Sequence, residues 1–322
     1  MEPREITMQF HPRAFAAFGS DLVTNDAVAV TELVKNCYDA YAYNAMITFG
    51  RNVDGSPYIE IVDDGLGMTQ KTIEESWAVI ATPYKKKNPT VSRDGRIRRV
   101  SGNKGLGRFS AARLGRTLEI ITKSKNDTCF SAKIEWENFI NSGSIADCKI
   151  ILSESKSSRL SSQTGTIIKI TGLYEQWTET KIRELQNSLS RLISPFECVS
   201  DFTISLVSPT HYEPIHIQPQ EFIKNPTYCM KGNVNDAGDI YLTYAYSPQG
   251  KLVDEKTSVI SWDEAQKGFD DLHMLESPSS NPYCCGAFSF EIRAWDLDSD
   301  SICDVGDSFS IGRMEVRVNI AQ

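Results

Sequence analysis

From Asp26 to Tyr43 the sequence reads as a helix that is apolar on almost every side, and this element constrains the fold more than any other. Val30, Leu33, Val34, Cys37 and Tyr41 recur with helical period, and Asp26 stands where an N-cap is needed. Glu32, Asn36 and Asp39 occupy positions i, i+4 and i+7, so at about 100° per residue they project as one narrow stripe. Three polar residues at this spacing ordinarily mark a solvated face. Here Leu33, Val34, Cys37, Tyr38 and Ala40 cover most of the remaining circumference, and a nearly enclosed helix with a single polar stripe lines a pocket.

The residues that follow supply strands. Met46 to Phe49 and Tyr58 to Val62 alternate as strands around a turn at Asp54-Gly55-Ser56-Pro57, and a short helix is predicted around Thr72 to Ile80. Gly107 to Leu114 reads as helix, Thr117 to Thr122, Thr128 to Trp136 and Gly165 to Thr171 as strands, and Thr178 to Ile193 as a second amphipathic helix. A helix opening the unit, with strands before and after further helices, argues for a layered α/β domain closing near Ser194-Pro195. Beyond it, Asp239 to Tyr246, Ala287 to Trp295 and Gly312 to Ile320 alternate as strands. The expected division is therefore 1–195 and a smaller, strand-rich α+β region over 196–322, with no internal repeat.

Two glycine-bearing strings add chemistry to the polar stripe. Asp63-Asp64-Gly65-Leu66-Gly67-Met68 ends an apolar strand, where an Asp fixed by a sheet offers an acceptor and two glycines allow close approach of a flat ligand. A carboxylate accepting from an exocyclic amine favours adenine over guanine, which presents a carbonyl oxygen there. The second string is Ser101-Gly102-Asn103-Lys104-Gly105-Leu106-Gly107-Arg108-Phe109-Ser110, leading into a predicted helix. Free N–H groups at a helix start, supplemented by Lys104 and Arg108, make an anion site. Gly107 is followed by Arg108-Phe109, which excludes a Walker A loop, and neither Gly65-x-Gly67 nor Gly105-x-Gly107 has the third glycine of a Rossmann fingerprint.

Charge points to the same region. The 322 residues carry 34 Lys+Arg and 42 Asp+Glu, a net −8 that hides a split. Ala81 to Arg116 holds eleven basic residues against Asp94 alone, or +10, leaving −18 elsewhere. Such a run either forms a solvated face or meets a polyanion. With too little apolar periodicity for a packed core, the stretch before Gly107 reads as a mobile loop.

Other classes fall away. At 40% hydrophobic and 24% charged, the chain has the apolar material for real cores, which excludes collagen-like and disordered proteins. No run approaches the ~18–20 apolar residues of a membrane span, and Met1-Glu2-Pro3-Arg4-Glu5 lacks a signal peptide's apolar core, so a cytoplasmic protein is expected. The eight cysteines contain no C-x-x-C pair, and His11, His211, His216 and His273 form no H-E-x-x-H pattern, so a metal held by Cys or His is not expected.

In this order and spacing the strings resemble the GHKL superfamily of ATPases, which includes DNA gyrase, the ninety-kilodalton heat-shock chaperones, histidine kinases, mismatch-repair MutL proteins and MORC proteins. Glu32 to Ala40 looks like the first box of that family, Asp63 to Met68 like the second and Gly102 to Ser110 like the third. Gly165-Thr166 with Ile167, Ile168 and Ile170 is similar to the fourth, and the match covers about residues 15–195. The resemblance implies the Bergerat fold, a two-layer α/β sandwich with helices on one face of a mixed sheet, and an ATPase using ATP and Mg²⁺. It implies that Glu32 polarises the attacking water, that Asn36 binds Mg²⁺, and that Asp39 belongs to the nucleotide site. Asp63 would accept from adenine with Thr166 assisting, Gly65 and Gly67 would shape the loop, and Met68 would pack on the base. Residues from about Ala81 to Arg108 would cover the nucleotide, with Lys85, Lys104 or Arg108 reaching phosphate and Gly102, Asn103, Gly105, Leu106, Gly107, Phe109 and Ser110 forming the phosphate loop. Lid closure implies an ATP-dependent homodimer acting as a clamp.

Two alternatives accompany this reading. The fold also serves protein-histidine kinases, but the upstream His11 precedes Pro12 in a region without helical periodicity. A non-hydrolysing nucleotide sensor or nucleic-acid-binding module would use the basic 85–99 stretch, whose neighbourhood holds only Tyr84 for stacking on bases. In several hydrolysing families of the superfamily a Lys or Arg of the next domain meets the γ-phosphate. Lys251, Lys256, Arg293, Arg313 and Arg317 are all candidates, and the stop at Ala321-Gln322 directly after a strand is read as the mark of a fragment or of an incomplete second unit.

Overall fold

The computed structural model describes residues 25–79, 88–101, 110–142, 148–160, 163–194, 201–210, 213–220, 224–267, 287–296 and 314–321. They fall into two units, one holding residues up to 193 together with 200–218, the other 194–199 and 219 onward.

In the first unit, α1 (Asp26–Asp39) forms where the apolar periodicity expects it. Its cap is Asn25 instead of Asp26: Asn25 Oδ1 accepts from the N–H of Val28 at 2.8 Å. Asp26 lies in the first turn, where its carboxylate receives Arg113 at 3.0 Å and Lys181 at 3.1 Å. The strands β1 (Asn44–Arg51) and β2 (Pro57–Asp63) pair antiparallel, and α2 (Gln70–Thr72) continues as a π-helical turn over Ile73–Trp77. A hairpin follows, made of β3 (Thr90–Arg93) and β4 (Arg96–Arg99). Next come α3 (Ser110–Leu114), β5 (Gly115–Lys123), β6 (Cys129–Glu135), α4 (Trp136–Ile140), β7 (Ile151–Glu154), β8 (Gly165–Leu173) and α5 (Glu179–Ser190). Two further strands, β9 (Thr203–Val207) and β10 (Ile215–His216), complete the sheet.

The eight strands run in the order β10-β9-β1-β2-β8-β5-β6-β7. Every described pair is antiparallel except β1 with β9, so the sheet is mixed. One face carries Ile47, Ile59, Ile61, Leu118, Ile120 and Ile170 into a core shared with Val30, Leu33 and Val34 of α1 and with Leu185 and Leu189 of α5. Full burial of each such side chain contributes about 1.5–3 kcal/mol. The opposite face is polar. On it, both guanidinium nitrogens Nη1 and Nη2 of Arg159 meet Glu60 at 2.8 Å, and Lys169 Nζ donates to Asn52 at 2.9 Å. This division is the Bergerat-type α/β sandwich, and it explains why period-two alternation was legible in these strands.

The first unit reaches past the expected boundary at 195. Thr203 pairs with Asn44 and Val207 with Thr48, and the buried Ile204 and Leu206 join the core. The second unit is a five-stranded antiparallel sheet ordered β13-β12-β11-β14-β15. Its strands are β11 (Tyr228–Val234), β12 (Ile240–Tyr246), β13 (Asp254–Ile260), β14 (Phe288–Asp296) and β15 (Met314–Ala321), with α6 (Trp262–Lys267) after β13. Among the described residues no helix is long and apolar enough to cross a membrane.

Candidate functional site

The best-defined polar feature of the first core lies where β2, β8 and β5 end side by side. Register places Thr166 opposite both Asp63 and Thr122, so these three residues form a polar row on the helix-covered face of the sheet. Asp63 is 6% exposed and accepts from the N–H of Gly65 at 2.8 Å. Thr122 Oγ1 lies 3.1 Å from Thr166 Oγ1 and receives the N–H of Met68 at 2.9 Å. Burial pushes the Asp63 carboxyl from its ordinary 3.8 up to about 7, against hydrogen bonds from Gly65, the Cys37 thiol and the Thr166 backbone that favour the charged form. Cys37 sits beneath it on α1. Burial first, and then the adjacent Asp63, raise its pKa well above the ordinary thiol range, which keeps it a protonated donor.

Strand alternation separates the two neighbouring aspartates. Asp64 is occupied with the backbone, its Oδ1 accepting from the N–H groups of Tyr43 at 2.7 Å and Asn44 at 2.9 Å, and its Oδ2 from Asn44 Nδ2 at 2.7 Å. Only Asp63 turns inward. The glycines around it serve backbone proximity. Gly67 has φ +65°, and a Cβ there would run into the carbonyl of Lys123; a Cβ on Gly165 would run into the carbonyl of Asp63. Leu66 N–H donates to Ala40 O at 2.8 Å, which ties the loop to the end of α1. Met68 is partly buried against the core.

Along α1 the polar stripe runs from open to closed. Glu32 and Asn36 are half-buried, whereas Asp39 is 9% exposed. Glu32 Oε1 holds Lys35 Nζ at 2.7 Å in a pair open enough to contribute at most about 1 kcal/mol. Asp39 Oδ1 accepts from both the N–H of Ser101, at 2.7 Å, and its hydroxyl, at 2.9 Å. Ser110 is buried in the first residue of α3. Lys85 and Gly102, Asn103, Lys104, Gly105, Leu106, Gly107, Arg108 and Phe109 lie outside the described residues.

The basic stretch departs from the expected mobile loop. Residues 90–99 form a hairpin whose Asp94-Gly95 tip has φ of 52° and 78°. Arg98 is 4% exposed and donates to Asp201 Oδ2 at 2.7 Å and to the carbonyls of Tyr38 and Ala42 at 2.9 Å. Its guanidinium lies 4.3 Å from the Tyr38 ring centroid and 4.1 Å from that of Tyr41. Arg93 donates to the carbonyls of Asp64 at 2.6 Å and Tyr41 at 3.1 Å. With Arg113 on Asp26 and Arg116 near Glu137, several of the charges counted toward a polyanion are bound within the fold. Arg96 and Arg99 remain exposed on the hairpin.

Sequence reasoning gave Thr122, Ser101 and Arg98 no individual role. Thr122 gains meaning only from register across β5 and β8. The Asp94-Gly95 dipeptide between two short strands was a readable hairpin signal for the other two.

In the second unit, Arg293 is buried with its Nε on Glu291 Oε1 at 2.7 Å, and Lys256 meets Asp254 at 3.1 Å. Lys251 is exposed, Arg313 lies outside the described residues, and Arg317 belongs to β15. Among the described residues no three His, Cys, Asp or Glu side chains are grouped to hold a metal.

Residues 24–166 match the family model described as histidine kinase-, DNA gyrase B-, and HSP90-like ATPase. Over these residues the first unit carries a GHKL-type ATPase domain, of an ATP-binding superfamily. No curated protein matches the chain.

Proposed function

We propose that the first unit binds ATP and hydrolyses it with Mg²⁺, holding adenine at the Asp63, Thr166 and Thr122 row. The observation that carries the reading is Asp63 itself, a buried carboxyl with one oxygen on a backbone N–H and a free-energy penalty for ionisation that a donated exocyclic amine would relieve. Thr166 and Thr122 hydroxyls beside it supply further polar contacts to a base or to a bridging water.

Glu32 and Asn36 are less buried than Asp63, as groups that meet water and phosphate must be. Glu32 would orient the attacking water. Asn36 fits Mg²⁺ by chemistry, since that ion takes oxygen ligands and commonly needs only one or two protein groups beside phosphates and waters. When bound, the ion would neutralise charge on the triphosphate; the chain's own part is positioning. Closure over nucleotide and pairing of two copies belong to the same proposal, as does a cytoplasmic setting that keeps the buried Cys37 reduced.

Calorimetric titration with ATP and Mg²⁺ tests the site. Wild type should bind, Asp63→Asn should lose ATP affinity, and binding unchanged in Asp63→Asn would remove the adenine assignment. A nonhydrolysable analogue that leaves the molecular mass in solution unchanged would remove the pairing of copies.

A further inference from the structure

The peptide that joins Asp64 to Gly65 is held at both of its polar groups. Its N–H donates to Asp63 Oδ1 at 2.8 Å, and its carbonyl accepts from Nη1 of Arg93, on the β3–β4 hairpin, at 2.6 Å. A peptide is planar, and in the trans form adopted here these two groups point in opposite directions, so fixing the carbonyl also fixes the line along which the N–H meets the carboxyl. The same Nη1 reaches the carbonyl of Tyr41 at 3.1 Å. Tyr41 is a buried aromatic residue with φ +56°, a value uncommon outside glycine. The guanidinium is seated in turn on Tyr43, 4.6 Å from the ring centroid, and the Tyr43 hydroxyl donates to Asp94 at 3.1 Å.

No side chain could restrain this turn at Gly65, because a Cβ there would lie 2.8 Å from both Ala40 O and Asp63 Oδ1. The orientation of a peptide before glycine rests on the bonds the peptide itself makes. We infer that Arg93 is a positioning residue for adenine recognition: it orients the Asp64–Gly65 peptide, and through that peptide's N–H the Asp63 carboxyl, without touching the nucleotide itself. The inference rests on the ATP reading above.

This role differs in its consequences from that of a cation waiting for a polyanion. An arginine that met phosphate would, when lost, weaken ATP and spare adenosine. An anchor of the base end weakens both alike. Arg96 stands on the same hairpin and is exposed, so it offers the contrast at equal charge. Lysine at position 93 would keep three donors on a shorter stem and serve the two carbonyls in part.

The test combines amide hydrogen exchange of the ligand-free protein with NMR titration of adenosine and calorimetry of ATP, in wild type, Arg93→Met, Arg93→Lys and Arg96→Met. Arg93→Met should speed exchange at Gly65 about tenfold more than at Ile61, which lies within β2. Adenosine and ATP should each weaken about tenfold in that variant, and Arg93→Lys should recover part of both losses. Arg96→Met should bind adenosine as wild type does. Four results would overturn the inference: Gly65 exchange rising no more than that of Ile61, ATP weakened with adenosine unchanged, Arg93→Lys no better than Arg93→Met, or Arg96→Met as damaging to adenosine as Arg93→Met. If Arg93→Met does not fold, Tyr43→Leu removes the ring that seats the guanidinium and should weaken adenosine roughly threefold with faster Gly65 exchange; adenosine affinity or Gly65 exchange unchanged there also overturns it. Wild-type protein that binds neither ligand marks a separate failure, that of the ATP reading itself, since the exchange at Gly65 is measured without any ligand.

Discussion

The two ends of the proposed nucleotide site are built by different means. At the base end, Asp63, Thr166 and Thr122 stand on three adjacent strands whose register is fixed by buried isoleucines, and Asp63 is 6% exposed. At the proposed phosphate end, Glu32 and Asn36 stand on a helix surface, half-buried, and Glu32 pairs with Lys35 at 2.7 Å. The first set is fixed by strand register, whereas the second stands on one helix. In the proposed function recognition is thus separable from chemistry, and perturbing each end in turn is the way to break that proposal.

The largest effect belongs to the open end. Glu32→Ala should lower ATP turnover by about 10²–10⁴-fold, the usual range for a group that handles the proton of an attacking water. ATP affinity should stay near wild type. Turnover that survives would show that Glu32 does not serve the chemistry, and affinity that collapses would show that the two ends are not separable.

Next in size is the Arg98 clamp at the C-terminal turn of α1. Arg98→Met leaves Asp201 and the carbonyls of Tyr38 and Ala42 without their cation, a loss in the range of about 3–5 kcal/mol for a buried pair broken on one side. Chemical denaturation would measure it. A cost under about 1 kcal/mol would class the residue with ordinary surface arginines.

Both of those residues lie in stretches whose sequence was read, with unequal success. The α1 stripe was legible because helical period needs only local information, and Asp63 was legible because it ends an apolar strand before two glycines. Arg98 was counted among eleven cations as a candidate for a polyanion. Its partners lie far along the chain at Tyr38, Ala42 and Asp201, and no local pattern announces a contact across that separation. The same holds for Thr203 to Val207: five residues with a modest apolar alternation acquire their place in the first sheet only by pairing with Asn44 to Thr48. The strands Tyr228–Val234 and Asp254–Ile260 escaped notice for the reason that their polar and apolar residues alternate too weakly to stand out.

The base end answers to pH. The Asp63 pKa is raised on folding, from 3.8 to about 7, so its neutral form favours the folded state fully below pH 3.8 and that contribution is lost as pH rises to about 7. The gap corresponds to at most roughly 4 kcal/mol, spread over that window. Thermal unfolding of the ligand-free protein should therefore show wild type losing stability relative to Asp63→Asn between pH 4 and 7, with no further divergence above. ATP affinity should move the opposite way and rise between about pH 6 and 8, because the ionised carboxylate is the better acceptor for an amine. A difference between wild type and Asp63→Asn that stays flat across the window would mean that Asp63 is ionised throughout and its burial offset by its hydrogen bonds.

The smallest expected effect is the most direct probe of the contrast between the ends. Lys35→Met removes the ion-pair partner of Glu32 at a solvent-facing site, so stability should change by less than about 1 kcal/mol. ATP turnover should not fall, since Glu32 must part from Lys35 before it can hold a water. A tenfold loss of turnover with ATP affinity preserved would instead make Lys35 part of the reacting arrangement, and the open end would then be as preorganised as the closed one.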